Sequence, residues 1–150
     1  MLSKSCIYGL RASIFIALHE EEGGYVSIGR ISEELGISFH FLTKILQHLT
    51  EGGIMKSYRG PSGGVRLART PSSVTLLDVV EILEGEDYFR SCILGLPGCG
   101  KENPCPLHEE WAQARKRMRR MFGEARLDKL AKAVARGRIR LADLPAKVAR

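Results

Sequence analysis

Two short apolar stripes on either side of a single glycine set the architecture of the first half of this chain. Ser27 can cap a segment in which Ile28, Ile31 and Leu35 share one helical face, and Gly36 breaks it. Ser38 can cap a second segment at once. There Leu42, Ile45, Leu46 and Leu49 repeat at the i, i+3, i+4, i+7 spacing of a buried face. The same spacing moved back two residues picks out His40, Thr43, Lys44 and Gln47, all polar and none acidic. A helix, a glycine turn and a helix with such an outer face form the pattern of a helix-turn-helix that reads DNA.

The next segment of the chain supports that pattern. Gly52-Gly53 ends the second helix. Ile54–Tyr58 and Val65–Ala68 are then two strand-like runs around Arg59-Gly60-Pro61-Ser62-Gly63-Gly64. A basic hairpin directly after a helix-turn-helix reads as a wing, placing Arg59 against a phosphate or in a minor groove. Before the pair, a first helix is expected with Ser5 as its cap, Ile7, Leu10, Ile14, Ala17 and Leu18 on its apolar side, and Gly23-Gly24 as its end. After the wing, Thr75 or Ser73 opens a fourth helix through Glu84. Leu76, Val79, Val80 and Leu83 face inward, and Gly85 closes it.

Charge is distributed unevenly. Residues 111–150 hold 13 Lys and Arg against 3 Asp and Glu, while residues 1–110 hold 10 against 14. The wing region has its own local excess, with Lys44, Lys56, Arg59, Arg66 and Arg69 against Glu51. The net +6 of the chain therefore points to an anionic partner, although a basic tail is also what a solvated helix face looks like.

Residues 86–106 are rich in Gly and Pro and contain Cys92, Cys99 and Cys105. With His108 they follow C-x6-C-x5-C-x2-H. Three thiols and an imidazole this close can converge on zinc or on an iron–sulfur cluster. Zinc knuckles and ribbons use tighter pairs, and the wide spacing suits a larger object. Cys6 stands apart as a small apolar residue near the start of the first helix. Next, a long helix is expected from about Pro106 to Ala125. Leu107, Trp111, Ala114, Met118, Met121 and Ala125 are spaced 4, 3, 4, 3, 4 along it. Such a seam can pack on its own domain, but its length and narrowness favour pairing with a second copy through Trp111, Ala114, Met118 and Met121. Leu127, Leu130 and Val134 mark a further helix within the basic tail.

The fold expected is mainly α with a small β-hairpin wing. Residues 1–85 would form a winged helix-turn-helix, 86–106 a metal-binding loop, 107–125 a dimerisation helix and 126–150 a basic C-terminal tail. No segment has the roughly 20 apolar residues that span a bilayer, and no cleavable leader is evident, so no membrane partner and a cytoplasmic setting are expected. His19, His40, His48 and His108 sit in unrelated segments, and residues 60–64 lack phosphate-loop spacing, so an enzyme is not expected.

Taken in order, Tyr8-Gly9-Leu10-Arg11-Ala12, Ile31–Ser38, Arg59–Leu67 and the three-cysteine loop before a long helix resemble the bacterial winged-helix iron–sulfur regulators of the IscR and NsrR type. The likeness covers about residues 1–125. It implies a homodimeric repressor that binds a near-palindromic duplex and senses redox, nitric oxide or iron–sulfur status. By resemblance Cys92, Cys99 and Cys105 match the cluster cysteines. Cys105-Pro106-Leu107-His108, followed by Trp111, is similar to the IscR-type segment in which histidine completes a 2Fe–2S cluster. NsrR-type members, which hold a 4Fe–4S cluster, instead draw an Asp from the partner's first helix, where this chain has Ile7 beside Cys6. The first cysteine gap is six residues, one longer than in the IscR pattern. Residues corresponding to Ser38, His40, Thr43 and Arg59 approach DNA in the IscR type, and Thr43 replaces a Glu there. The competing readings are a zinc-stabilised winged helix without sensing and a small iron–sulfur electron carrier.

Overall fold

In the computed structural model, which describes residues 1–20 and 23–142, the elements run α1 (Lys4–Leu18), α2 (Ile28–Leu35), α3 (Phe39–Glu51), β1 (Met55–Tyr58), β2 (Gly64–Leu67), α4 (Leu76–Glu84), α5 (His108–Glu124) and α6 (Leu127–Ala135). Turns of 3-10 helix at Pro71–Ser73 and Glu86–Phe89 interrupt the connections. The fold is the mainly helical winged helix-turn-helix expected from the sequence.

Helix α1 lies at the centre, packed against α2, α3, α4, α6 and β2. Its cap is Ser3, whose Oγ accepts from the Cys6 amide at 3.1 Å, and not the expected Ser5. The Ser3 amide donates to Glu84 Oε1 at 2.7 Å, which ties the cap to the end of α4. The helix stops at Leu18, before the expected Gly23-Gly24. The chain must turn there to bring Val26 beside the hairpin, where Val26 and Val65 exchange hydrogen bonds of 2.8 and 2.9 Å.

Helices α2 and α3 form as their stripes require. Ser27 caps α2 through the Arg30 amide at 3.2 Å, and Gly36 takes the left-handed conformation, φ 62°, that lets the chain turn into α3. Ser38 occupies the cap position of α3 but makes no side-chain capping bond. Ile31, Leu35, Leu42, Ile45, Leu46 and Leu49 are all buried in the main core. In the hairpin Met55 pairs with Leu67 and Tyr58 with Gly64. A side chain on Gly64 would strike the Val26 carbonyl, so glycine permits the three extended segments to close together.

Thr75, and not Ser73, caps α4, in a capping box with Asp78. A second, smaller core joins Cys6, Val80, Phe89 and Phe122, with Met118 packed against it. Helix α5 begins at His108, two residues after Pro106, because the Cys105 carbonyl takes the His108 amide in a preceding turn. The helix expected from Leu127, Leu130 and Val134 is α6. Leu127 and Ala131 reach the main core, so this part of the basic tail is structural. The end of the tail, residues 143–150, lies outside the described residues. No described helix is long and apolar enough to cross a membrane.

Candidate metal centre and DNA-facing groove

The loop between α4 and α5 brings the three spaced cysteines together. The Cys92, Cys99 and Cys105 sulfurs all lie within 4.8 Å of one another. Positive φ at Gly95 and Gly98 reverses the chain between the first two, and the 3-10 turn at Glu86–Phe89 anchors its start by burying Phe89. The donors fall into two close pairs. Cys92 Sγ is 3.6 Å from Cys105 Sγ, and Cys99 Sγ is 3.4 Å from His108 Nδ1. Two thiolates on one tetrahedral ion, at bonds of about 2.3 Å, stand about 3.8 Å apart. Each pair therefore has the bite of a metal atom: the three mutually close sulfurs could hold a single ion, and the two pairs could serve as two ligands on each of two metals of a cluster.

The thiols are already divided in acidity. The Leu96 amide, aided by the Leu94 amide and by Cys105 and Cys99, draws the Cys92 thiol down to about 7 against the effect of burial. Burial raises Cys105, and its two sulfur neighbours add to the rise. A metal would replace the proton they share. Cys6 is in none of this. It is fully buried 86 residues earlier in the chain, and burial, with the Glu84 carboxylate adding, pushes its thiol up to about 12.

The loop is fastened to α5 by contacts that periodicity does not reveal. Trp111 Nε1 and Arg115 Nη1 both donate to the Ser91 carbonyl, at 2.9 and 3.2 Å. Arg119 then pairs with Glu81 of α4 at 3.2 Å. Along the expected seam, Trp111, Ala114 and Met118 are half-buried and Met121 is 57% exposed. Phe122, which the seam omits, is the residue by which α5 enters the second core; its apolar position beside Met121 is the signal for it.

A groove of about 740 Å³ separates α3 from the hairpin. Thr43 and Gln47 line its α3 side and Arg59 its hairpin side, while Ser38 at the α3 cap and His40 and Lys44 on α3 are exposed outside it. The Thr43 hydroxyl donates back to the Phe39 carbonyl at 2.8 Å. Gln47 Nε2 donates to Glu51 Oε1 at 3.1 Å, which leaves the amide oxygen to accept. Phe39 also lines this groove at 54% exposure, and it is not among the expected site residues. Its sequence signal is an aromatic residue off the buried stripe, at the first position of α3.

Comparison with known proteins agrees with this geometry. Residues 2–133 match the model of the family described as Rrf2, iron-dependent transcriptional regulator. The chain is similar to the HTH-type transcriptional regulator IscR of Xenorhabdus nematophila, 30% identical over 125 residues, which are 83% of this chain and 75% of that protein. Among solved structures it resembles T. potens IscR, with a TM-score of 0.74 and 26% identity over 93% of this chain and 92% of that one. It also resembles CymR, the global cysteine regulator of B. subtilis, with a TM-score of 0.73 and 27% identity over 88% and 96%. A DNA-binding regulator, and not an enzyme or an electron carrier, is what the helix-turn-helix, the hairpin and these likenesses have in common: the chain belongs to the Rrf2 family of transcriptional regulators.

Proposed function

We propose that this chain is a homodimeric cytoplasmic regulator whose hold on a near-palindromic DNA site responds to an iron–sulfur cluster, 2Fe–2S, bound by Cys92, Cys99, Cys105 and His108. The observation that carries this reading is the convergence of the four donors in two close pairs at the junction between the DNA-reading body and α5. Bound there, such a cluster would supply a centre sensitive to oxidants, to nitric oxide and to iron–sulfur supply. The chain's own contacts supply the remaining links. Ser91 precedes Cys92 and is held by Trp111 and Arg115, so displacement of the cysteine loop acts on α5. The Arg119–Glu81 pair carries the displacement to α4, which packs on α1 and α3.

At the DNA, Ser38, His40, Thr43, Lys44 and Gln47 would face the major groove and Arg59 a phosphate or the minor groove. Trp111, Ala114, Met118 and Met121 would meet a second copy, which sets the spacing of two half-sites. A coupling of about 1–3 kcal/mol between the loop and α3 would change DNA affinity about 5–150-fold.

The mutual closeness of the three sulfurs also favours a second reading, a single zinc ion that stabilises the fold without sensing. One preparation separates the two. The protein is purified without oxygen, its visible spectrum recorded, and iron, sulfide and zinc assayed. Red-brown protein with about two iron and two sulfide per chain supports the 2Fe–2S reading. Near four of each supports a 4Fe–4S cluster. Colourless protein with one zinc supports the second reading. Cys99→Ala and Cys105→Ala should each abolish the chromophore and change DNA affinity; unaltered colour and binding in both would end the sensor reading.

A further inference from the structure

The segment Arg136-Gly137-Arg138-Ile139-Arg140 follows α6 and takes no part in the cysteine loop or the groove beside α3. It is fastened at both ends. At its start Gly137 adopts φ 68°, and the Gly137 and Arg138 amides return to the Val134 and Ala133 carbonyls at 2.9 and 3.0 Å, which closes α6. At its end Leu141 and Ala142 pack against the main core. The Leu141 carbonyl accepts from Arg11 Nε at 2.5 Å, and the same guanidinium donates through Nη2 to the Leu35 carbonyl at 2.7 Å. One side chain of α1 thus holds the segment beside the last residue of α2, next to the turn that leads into α3.

That placement has a side. Arg11 lies over the ring of Tyr8, and Tyr8 meets Phe41 of α3 edge to face at 5.7 Å. Phe41 and Thr43 are about 200° apart around α3. Thr43 faces the groove against the hairpin. Helix α3 is therefore flanked by the hairpin with Arg59 on one side, and on the other by α1 with the arginine segment it holds. Arg136, Arg138 and Arg140 are all exposed, and none forms an ion pair among the described residues. No acidic residue interrupts residues 136–142.

We infer that Arg138 and Arg140 form a phosphate-binding strip that holds the DNA backbone on the side of α3 opposite the hairpin. This rests on the DNA-reading role proposed for α3. Exposed guanidinium groups without ion-pair partners, on a segment that Arg11 ties to the last residue of α2, match the charge of a phosphate backbone. Phosphate contacts fix position and add affinity without reading sequence. The strip therefore contributes salt-dependent affinity and leaves the choice of site to α3.

The test uses the full chain and a duplex enriched from a random-sequence pool by the wild-type protein. Binding is followed by fluorescence anisotropy over a range of sodium chloride concentrations. For Arg138→Ala/Arg140→Ala the slope of log affinity against log salt should fall by about 2 for each protomer bound, with the enriched sequence preference unchanged. Arg138→Lys/Arg140→Lys should keep the wild-type slope. An unchanged slope in the alanine variant, beside normal wild-type binding, overturns the strip alone. An unchanged slope with strip-dependent binding to phosphatidylserine vesicles overturns it in favour of a membrane surface. Failure of the wild type to enrich any duplex removes the DNA-reading role itself, and the strip with it.

Discussion

Trp111 Nε1 donates a 2.9 Å hydrogen bond to the carbonyl of Ser91, the residue immediately before Cys92. The two are 20 residues apart in sequence and on opposite sides of the cysteine loop. The indole therefore measures where the loop begins. Trp111 is also the one tryptophan in the chain, so its fluorescence reports that contact directly. Trp111→Phe keeps the aromatic character and removes the donor, a loss of about 0.5–1.5 kcal/mol. The variant should still bind its metal or cluster. The ratio of DNA affinities between loaded and stripped protein should shrink by about 2–10-fold, as measured by anisotropy. An unaltered ratio would show that the indole contact does not transmit the state of the loop.

Arg59 offers a separate handle, because it belongs to the hairpin and touches neither the cysteine loop nor α5. Arg59→Ala should weaken DNA binding and lower the salt slope by about 1 for each protomer. The visible spectrum and metal content should match the wild type. A normal gel shift would mean that the hairpin does not approach DNA.

Local patterns make much of this molecule legible. Ser27, Gly36 and the Leu42–Leu49 stripe predict α2 and α3 because capping, a left-handed turn and amphipathicity act within a few residues. The cysteine spacing likewise leads to a cluster of sulfurs. Contacts made at long range leave no such trace. Arg11 holds a carbonyl 130 residues away, and Ser3 takes the cap of α1 partly because Glu84 reaches its amide. Phe122 looks interchangeable with its neighbours until α4 and the Glu86–Phe89 turn show which face of α5 they need.

Gly64 is where the hairpin depends on backbone contact. A methyl group there would collide with the Val26 carbonyl and press on the Ser27 amide, both fixed in the bridge to Val65 and the start of α2. Because the obstacle is backbone, it cannot swing aside as a side chain would. Gly64→Ala should cost about 1–3 kcal/mol, the usual range for overpacking. The thermal midpoint should fall by several degrees, and amide exchange should quicken at Val26 and Val65. Gly100→Ala, with nothing within 4 Å of the added carbon, is the control for glycine replacement itself. Equal melting of the two variants would show that the bridge is looser than its 2.8 and 2.9 Å bonds imply.

Cys6 makes stability depend on alkaline pH. Its thiol is fully buried, and burial together with the nearby Glu84 carboxylate raises its pKa from 9.0 to about 12. Above pH 9 the unfolded chain releases this proton while the folded chain retains it, so folding loses stability as pH rises. The contribution is fully present below pH 9 and is lost progressively between 9 and about 12. At one unit above the unfolded value the loss is about 1.4 kcal/mol. Urea unfolding of metal-free protein at about pH 8 and about pH 10 should therefore show a larger fall for the wild type than for Cys6→Ala, by about 1.4 kcal/mol. The other three cysteines are present in both proteins and cancel in the comparison. Iodoacetamide at about pH 8 should label the less buried Cys92 and Cys99 well before Cys6. Equal pH dependence in the two proteins, with Cys6 labelled as fast as the loop, would mean that the thiol is neither sealed in the second core nor held protonated there.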